Sequence, residues 1–210
     1  MQLRGDATVA LSILILHCFV LICISSIALD SNSDGNKITL RFETSHRNIV
    51  RESYFMELAQ SDAGLTVCRH DLPCFVPLVH LEKEHLMTNT QLFLMHISDY
   101  LQAYVKRREE ANLVKEILGE ISCDLSMTLP ADYIEIKIGG AEWSFALEVQ
   151  MTYTNILKII PTQVVMSLEF EEEEPEADQM RKWREHFKSQ PLSVAMETVW
   201  LELRKFISAK

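Results

Sequence analysis

Two separate parts of the chain alternate apolar and polar residues and then change to a helical pattern. In the first part, residues 37–44 (KITLRFET) alternate aliphatic or aromatic side chains with polar ones, which is the two-residue period of a half-buried strand. Further strands are predicted at about residues 51–58 and 65–69. Because loops and no helix separate these strands, they indicate an antiparallel meander.

A proline-containing loop and helices follow the first group of strands. Residues 72–78 (LPCFVPL) contain two prolines, which exclude both a central strand and a helix interior. We expect a shaped loop there, followed by a short helix. Thr88 and Gln91 have the spacing of a capping box, so a long helix is predicted from Asn89 to about Leu118.

The second part of the chain repeats the order of strands followed by helices. Residues 132–138 (DYIEIKI) alternate in the same way, and a glycine pair then turns the chain back. The elements predicted here are strands at residues 132–138, 143–151 and 159–168 and helices at residues 181–188 and 192–207. Without a β-α-β alternation, the pattern predicts an α+β fold used twice, with units at residues 37–120 and 121–210.

An apolar segment precedes both units. Residues 7–29 contain no Asp, Glu, Lys or Arg, and a helix of this length rises far enough to cross a hydrocarbon core of about 30 Å. We therefore predict an apolar N-terminal helix within residues 1–36, the last part of which is a polar linker. A membrane anchor, a secretory signal with small residues at 26–28, and a start that arises from a mispredicted exon remain open.

The balance of charges argues against a broad nucleic-acid surface. Thirty acidic residues face twenty basic ones, for a formal net charge of −10, and each phosphate contact needs a Lys or Arg. The basic cluster Lys106-Arg107-Arg108 is predicted to be a solvated helical face with local ion pairs. The acidic segment at residues 169–178 (EFEEEEPEAD) is predicted to be a hydrated loop or tail, because so many like charges cannot be buried.

The residues with reactive side chains do not form a recognisable catalytic or metal site. Cys74 lies between the two prolines, but nothing in its sequence neighbourhood activates a thiol, so we predict a packed or half-exposed side chain. His80 and His85 lack the spacing of zinc ligands on one helix face, and phosphate-binding and nucleophile-elbow motifs are missing. No catalytic residue, cofactor or metal is therefore predicted, and a binding or assembly role is favoured. The sequence contains three tryptophans, Trp143, Trp183 and Trp200. We expect them to be core or interface anchors.

Three motifs resemble those of a known family when they are taken in order. SYFMEL (residues 53–58), LPCFVPL (72–78) and LMTNTQLFLMHISDYLQAY (86–104) resemble the centromere protein O (CENP-O) family of the vertebrate inner kinetochore. A looser similarity continues through residues 124–165, so the resemblance extends from about Lys37 to the C-terminus. It implies tandem RWD modules, each an antiparallel sheet packed by helices and related to the ubiquitin-conjugating fold. Pro73 and Pro77 match the P-x-x-x-P loop of such modules.

The resemblance also implies a function and a set of binding residues. Members of the family are non-enzymatic structural subunits that pair with centromere protein P and join centromere proteins Q, U and R at the nuclear centromere, where they serve chromosome segregation in mitosis. Direct sequence-specific binding of nucleic acid is not expected. An enzyme of the ubiquitin-conjugating type would carry an H-P-N motif before its cysteine, and this sequence has none. The alternative is a single-pass membrane or secreted protein with a globular α+β domain. Core or interface candidates are Pro73, Pro77, Phe93, Tyr100, Tyr104 and Trp143.

Overall fold

The computed structural model describes residues 24–30, 36–61, 64–119, 121–139, 144–170 and 176–208. The chain divides into two compact units, residues 1–105 and 106–210. Each unit contains a four-stranded antiparallel sheet and helical segments, so the predicted α+β class is confirmed. The division falls within a long helix, and the limits predicted from the sequence, residues 37–120 and 121–210, stay a prediction.

The first unit is a meander of four strands followed by helices. The strands are β1 (Ile24–Asp30), β2 (Asn36–His46), β3 (Ile49–Ser61) and β4 (Gly64–His70), paired in chain order. The helices are α1 (Leu78–Leu81), which continues into a π-helical turn (Glu82–Leu86), and α2 (Thr90–Leu118), whose residues from 106 onward belong to the second unit. Arg47 and Asn48 connect β2 to β3 with positive φ angles of 51° and 62°, as a two-residue hairpin turn requires. The core of the unit contains Leu40, Phe42, Leu58 and Phe93.

The N-terminal apolar segment is not a helix where the structure describes it. The residues of β1 pair with β2 in antiparallel register, with Leu29 opposite Ile38. Its two isoleucines are β-branched and favour a strand, and β2 offers a row of backbone groups for pairing. The predicted apolar helix is therefore wrong for residues 24–29, and the rest of that prediction lies outside the described residues. Within the described part of the chain, no helix has the length and apolar character needed to cross a membrane.

The long helix α2 begins one residue later than predicted and has a different cap. The Asn89 side-chain oxygen accepts the Leu92 N–H at 3.0 Å, which is the bond that an N-cap residue makes. Thr88, which the capping-box pattern favoured, instead donates its hydroxyl to the Glu84 carbonyl at 2.8 Å. The Asn89 side chain thereby satisfies one of the N–H donors of the first turn that have no partner within the helix.

The second unit contains one strand more than the sequence patterns predicted. Its strands are β5 (Cys123–Met127), β6 (Tyr133–Gly139), β7 (Phe145–Thr152) and β8 (Gln163–Phe170), followed by helices α3 (Ala177–Ser189) and α4 (Leu192–Ser208). The unpredicted strand, β5, has only five residues, too short an alternation to stand out from a loop. Trp183 and Trp200 are buried in this core, as expected, and Trp143 lies outside the described residues.

The acidic segment at residues 169–178 is not simply a loop. Glu169 and Phe170 end β8, and Ala177 and Asp178 begin α3. The Phe170 ring lies 5.2 Å from the Phe206 ring, so this end of the segment is held by packing as well as by strand pairing. The prediction of a hydrated loop or tail is therefore wrong at both ends of the segment, and residues 171–175 lie outside the described part of the chain.

Candidate binding surface

The proline loop of the first unit is fixed to the sheet at its start. Asp71 follows β4, and its N–H donates to the Phe55 carbonyl at 3.2 Å. In return, the Asp71 carboxylate accepts the Phe55 N–H at 2.6 Å. These two bonds connect the first residue of the loop to β3 and so set the direction in which the chain leaves the sheet.

The two prolines shape the rest of this loop. The Pro73 carbonyl accepts the Val76 N–H at 3.1 Å, which closes a turn. The Pro77 carbonyl accepts the N–H groups of His80 and Leu81 at 3.1 and 3.0 Å, so helix α1 begins directly after this proline. A proline suits the start of a helix because it has no N–H to leave unsatisfied.

Apolar side chains hold the inner side of the loop against the unit. Leu72 and Val76 are buried in the core. The Phe75 ring packs against the Tyr104 ring of α2, with 4.9 Å between ring centroids and an interplanar angle of 53°. The loop is therefore a supported structure whose outer surface keeps its shape.

A groove of about 610 Å³ runs along the outer side of the loop and α1. Its lining combines the two prolines with Val79, whose side chain is 81% exposed, and with Lys83. Cys74 also lines the groove and is exposed, so of the two predicted alternatives the packed thiol is wrong and the half-exposed one agrees with the structure. The cysteine is exposed because its neighbours Leu72 and Val76 occupy the inward positions of the loop.

The predicted binding residues occupy three different environments. Pro73 and Pro77 line the groove. Tyr104 supports the loop through Phe75, and Tyr100 packs against the same core from a half-buried position. Phe93 is fully buried in that core. The remaining candidate, Trp143, lies outside the described residues.

Histidines lie next to the groove without forming a metal site. Glu84 lies 3.3 Å from the His80 Nε2 and 3.7 Å from the His85 Nε2, and the His85 ring lies 5.3 Å from the His96 ring. Among the described residues, no three His, Cys, Asp or Glu side chains are arranged to hold a metal ion. Glu84 therefore contacts one histidine on α1 and one in the π-helical turn.

In the second unit, Arg107 contradicts the prediction of a solvated basic face. Its side chain is 2% exposed. It donates to the Ile156, Lys158 and Pro130 carbonyls at 2.5, 2.7 and 2.9 Å. The guanidinium also lies 5.1 Å from the centre of the Tyr153 ring. Arg107 thus joins the β5–β6 and β7–β8 connections.

Burial determines the electrostatics of this arginine and its neighbour. Desolvation lowers the pKa of Arg107, and the nearby Tyr153 and Asp132 oppose that shift. The helical spacing could have predicted the burial of Arg107. Ala103 and Ala111, four residues away on either side, are also buried. A basic residue on the buried stripe of a helix needs internal acceptors, which the three carbonyls provide.

Tyr153 should make the stability of the protein sensitive to alkaline pH. Desolvation by burial raises its pKa from an ordinary value of 10 to about 12. A raised tyrosine pKa means that the folded state favours the neutral phenol. The contribution of Tyr153 to the free energy of unfolding is therefore present below pH 10 and is lost between about pH 10 and 12. We expect about 2 to 3 kcal/mol less stability at the top of that window. Urea unfolding of the wild type and of Tyr153→Phe at several pH values measures this loss. If the free energy of unfolding fell equally with pH in the two proteins, the expectation would be contradicted.

The fold and the groove together define an α+β protein with two four-stranded sheets and a preformed surface groove. A family model described as "Cenp-O kinetochore centromere component" matches residues 28–190. Because this match covers most of the chain, the protein belongs to the Cenp-O family. The resemblance inferred from the three motifs is thereby confirmed.

Curated relatives agree with this assignment at modest identity. Centromere protein O of Gallus gallus is 26% identical over 130 residues, which cover 59% of this chain and 39% of that relative. Centromere protein O of Homo sapiens is 25% identical over 129 residues, which cover 59% of this chain and 42% of that relative. The chain thus matches about two fifths of the length of these relatives.

Proposed function

We propose that this chain is a non-enzymatic structural subunit of the inner kinetochore, located at the nuclear centromere and needed for chromosome segregation in mitosis. Its direct partner is centromere protein P, and centromere proteins Q, U and R complete the wider complex. Membership of the Cenp-O family over residues 28–190 is the observation that carries this proposal. The named relatives, each called centromere protein O, support it.

The two units support the further proposal that the fold is a pair of RWD modules. Each unit has four antiparallel strands in chain order. In the first unit, the P-x-x-x-P loop lies between the last strand and α1, which is the order that the family resemblance implies. The second unit likewise has its two helices, α3 and α4, after its last strand.

We place the partner-binding surface on the groove of the first unit. Its lining is mainly apolar and includes Val79, which is 81% exposed. Exposed apolar residues on a fixed surface are a common property of binding sites, because a partner gains from covering them. The proline candidates, Pro73 and Pro77, belong to this surface, whereas Phe93 contributes to the core beneath it.

A charge placed in the groove should weaken the complex. In Val79→Lys, a partner side chain that covers the groove would have to desolvate an ammonium group, which costs enough for about a tenfold or greater loss of affinity. The measurement is a titration of immobilised centromere protein P with the full chain. Ile49→Lys is the matched control, because Ile49 is 56% exposed in the same unit but lies at the β2–β3 turn.

The outcomes separate the two parts of the proposal. Weak binding by Val79→Lys with unchanged binding by Ile49→Lys supports the groove as the interface. Equal affinities of all three proteins contradict the groove and leave the pairing intact. If the wild type does not bind centromere protein P at all, the pairing itself is wrong.

A further inference from the structure

Strand β5 is one of the two edge strands of the second sheet, and its hydrogen-bond pattern shows which backbone groups point outward. The sheet order is β5-β6-β7-β8. The Thr128 N–H donates to the Tyr133 carbonyl, and the Ser122 carbonyl accepts the Gly139 N–H, both at 3.1 Å. These two bonds lie at either end of the strand. The backbone N–H and C=O groups of its even-numbered residues therefore point toward β6.

The odd-numbered residues of β5 therefore point their N–H and C=O groups away from the sheet. They are Cys123, Leu125 and Met127, and in the described part of the chain no group bonds to their backbone. Edge strand β4 of the first sheet is different, because its Val67 N–H donates to the Glu82 carboxylate at 2.9 Å. An unblocked row of backbone groups is a template for another strand.

The side chains of the same three residues show that the core is incompletely covered at this edge. Cys123, Leu125 and Met127 pack against the core of the second unit but are only partly buried. Leu129, two residues further along, is 66% exposed. An added strand with apolar side chains on this face would extend the core over them.

The opposite face of the edge is acidic. Asp124 lies across from Lys137 in the β5–β6 register, and Lys137 lies across from Glu148 in the β6–β7 register. Lys137 is already within 3.4 Å of Glu135 and 3.6 Å of Glu148. Three carboxylates and one ammonium therefore share this face, and the whole chain has a formal charge of −10. A second copy of the chain would add the same negative charge.

We propose that β5 binds an extended segment of a partner protein, in which apolar residues alternate with Lys or Arg. The segment adds a fifth strand to the sheet by hydrogen bonding to the outward groups of Cys123, Leu125 and Met127. Its apolar side chains cover the half-buried row, and its basic side chains face Asp124 and Glu135. This site lies on the second unit and does not depend on the groove or on pairing with centromere protein P.

Amide hydrogen exchange of the full chain tests the edge directly. The probe is an acetylated and amidated peptide in which lysine and valine alternate (KVKVKVK). Without it, the amides of Cys123, Leu125 and Met127 should exchange rapidly, while those of Asp124 and Ser126 are protected by β6. Saturating peptide should slow the three rapid amides at least tenfold. Protection of those amides in the free protein, or no change on adding the peptide, overturns the proposal.

Charge reversal tests the chemistry of the partner without altering the backbone. The lysine peptide should bind about twofold to fivefold more tightly than the same peptide with glutamate in place of lysine, as expected for one cross-strand charge pair. Asp124→Lys should reduce or reverse that preference, whereas Lys182→Asp, an exposed charge change on α3, should leave it unchanged. Equal affinity of the wild type for the two peptides contradicts a basic partner. Self-association through this edge in ultracentrifugation would favour a second copy and likewise contradict the proposal.

Discussion

Replacing Arg107 with methionine should lower the free energy of unfolding by about 3 kcal/mol or more. The guanidinium is the donor to three loop carbonyls, from Pro130, Ile156 and Lys158, and methionine fills a similar volume without any donor. The carbonyls would lose charge-assisted bonds, each worth about 1.5 to 3 kcal/mol. Trp183 and Trp200 are buried in the core of the second unit, so urea unfolding followed by tryptophan fluorescence reports on the affected region.

A matched substitution on the same helix provides the control for Arg107. Lys115 is also basic but exposed, and Lys115→Met should change the free energy of unfolding by no more than about 0.5 kcal/mol. If Arg107→Met and Lys115→Met had the same small effect, the buried position of Arg107 and its role in joining the two connections would be wrong.

Replacing Phe93 with alanine should lower the free energy of unfolding by about 3 to 5 kcal/mol. The Phe93 side chain is fully buried in the core of the first unit, so the substitution removes apolar contacts and leaves a cavity. Circular dichroism during urea unfolding measures the loss. The result matters for function, because it separates a residue that builds the unit from those that form its groove.

Met95 is the control for Phe93. It lies on the same helix, two residues away, and its side chain is 40% exposed. Met95→Ala should cost clearly less than Phe93→Ala, since Met95 is partly exposed and its truncation removes less apolar area from the core. A loss for Phe93→Ala as small as that for Met95→Ala would show that Phe93 is not part of a packed core.

Period-two patterns predicted most strands, but not β1 and β5, which have no readable alternation and are recognised only by their pairing with a neighbouring strand. The strands at residues 37–44 and 132–138 alternate over seven or eight residues, and both occur as β2 and β6. β1 looked like a continuous apolar helix, because hydropathy does not show that a neighbouring strand offers backbone partners. β5 is too short to give a period, and its assignment rests on its ladder with β6.

The candidate site was predictable in its position and not in its detail. Two prolines four residues apart are enough to predict a shaped loop, since both restrict the backbone and remove a donor. The sequence does not show that Val79 faces outward or that Phe75 packs on Tyr104, because both depend on how the loop meets α2. Arg107 shows the same limit, since its carbonyl partners are more than twenty residues away in the chain.

The proposed role as a kinetochore subunit that binds a sister subunit is tested most directly by the mass of the particle the chain forms. The full chain would be co-expressed with centromere protein P and passed through size-exclusion chromatography with light scattering. We predict one peak with the mass of one copy of each protein. Separate elution of two folded proteins at every concentration would contradict the account.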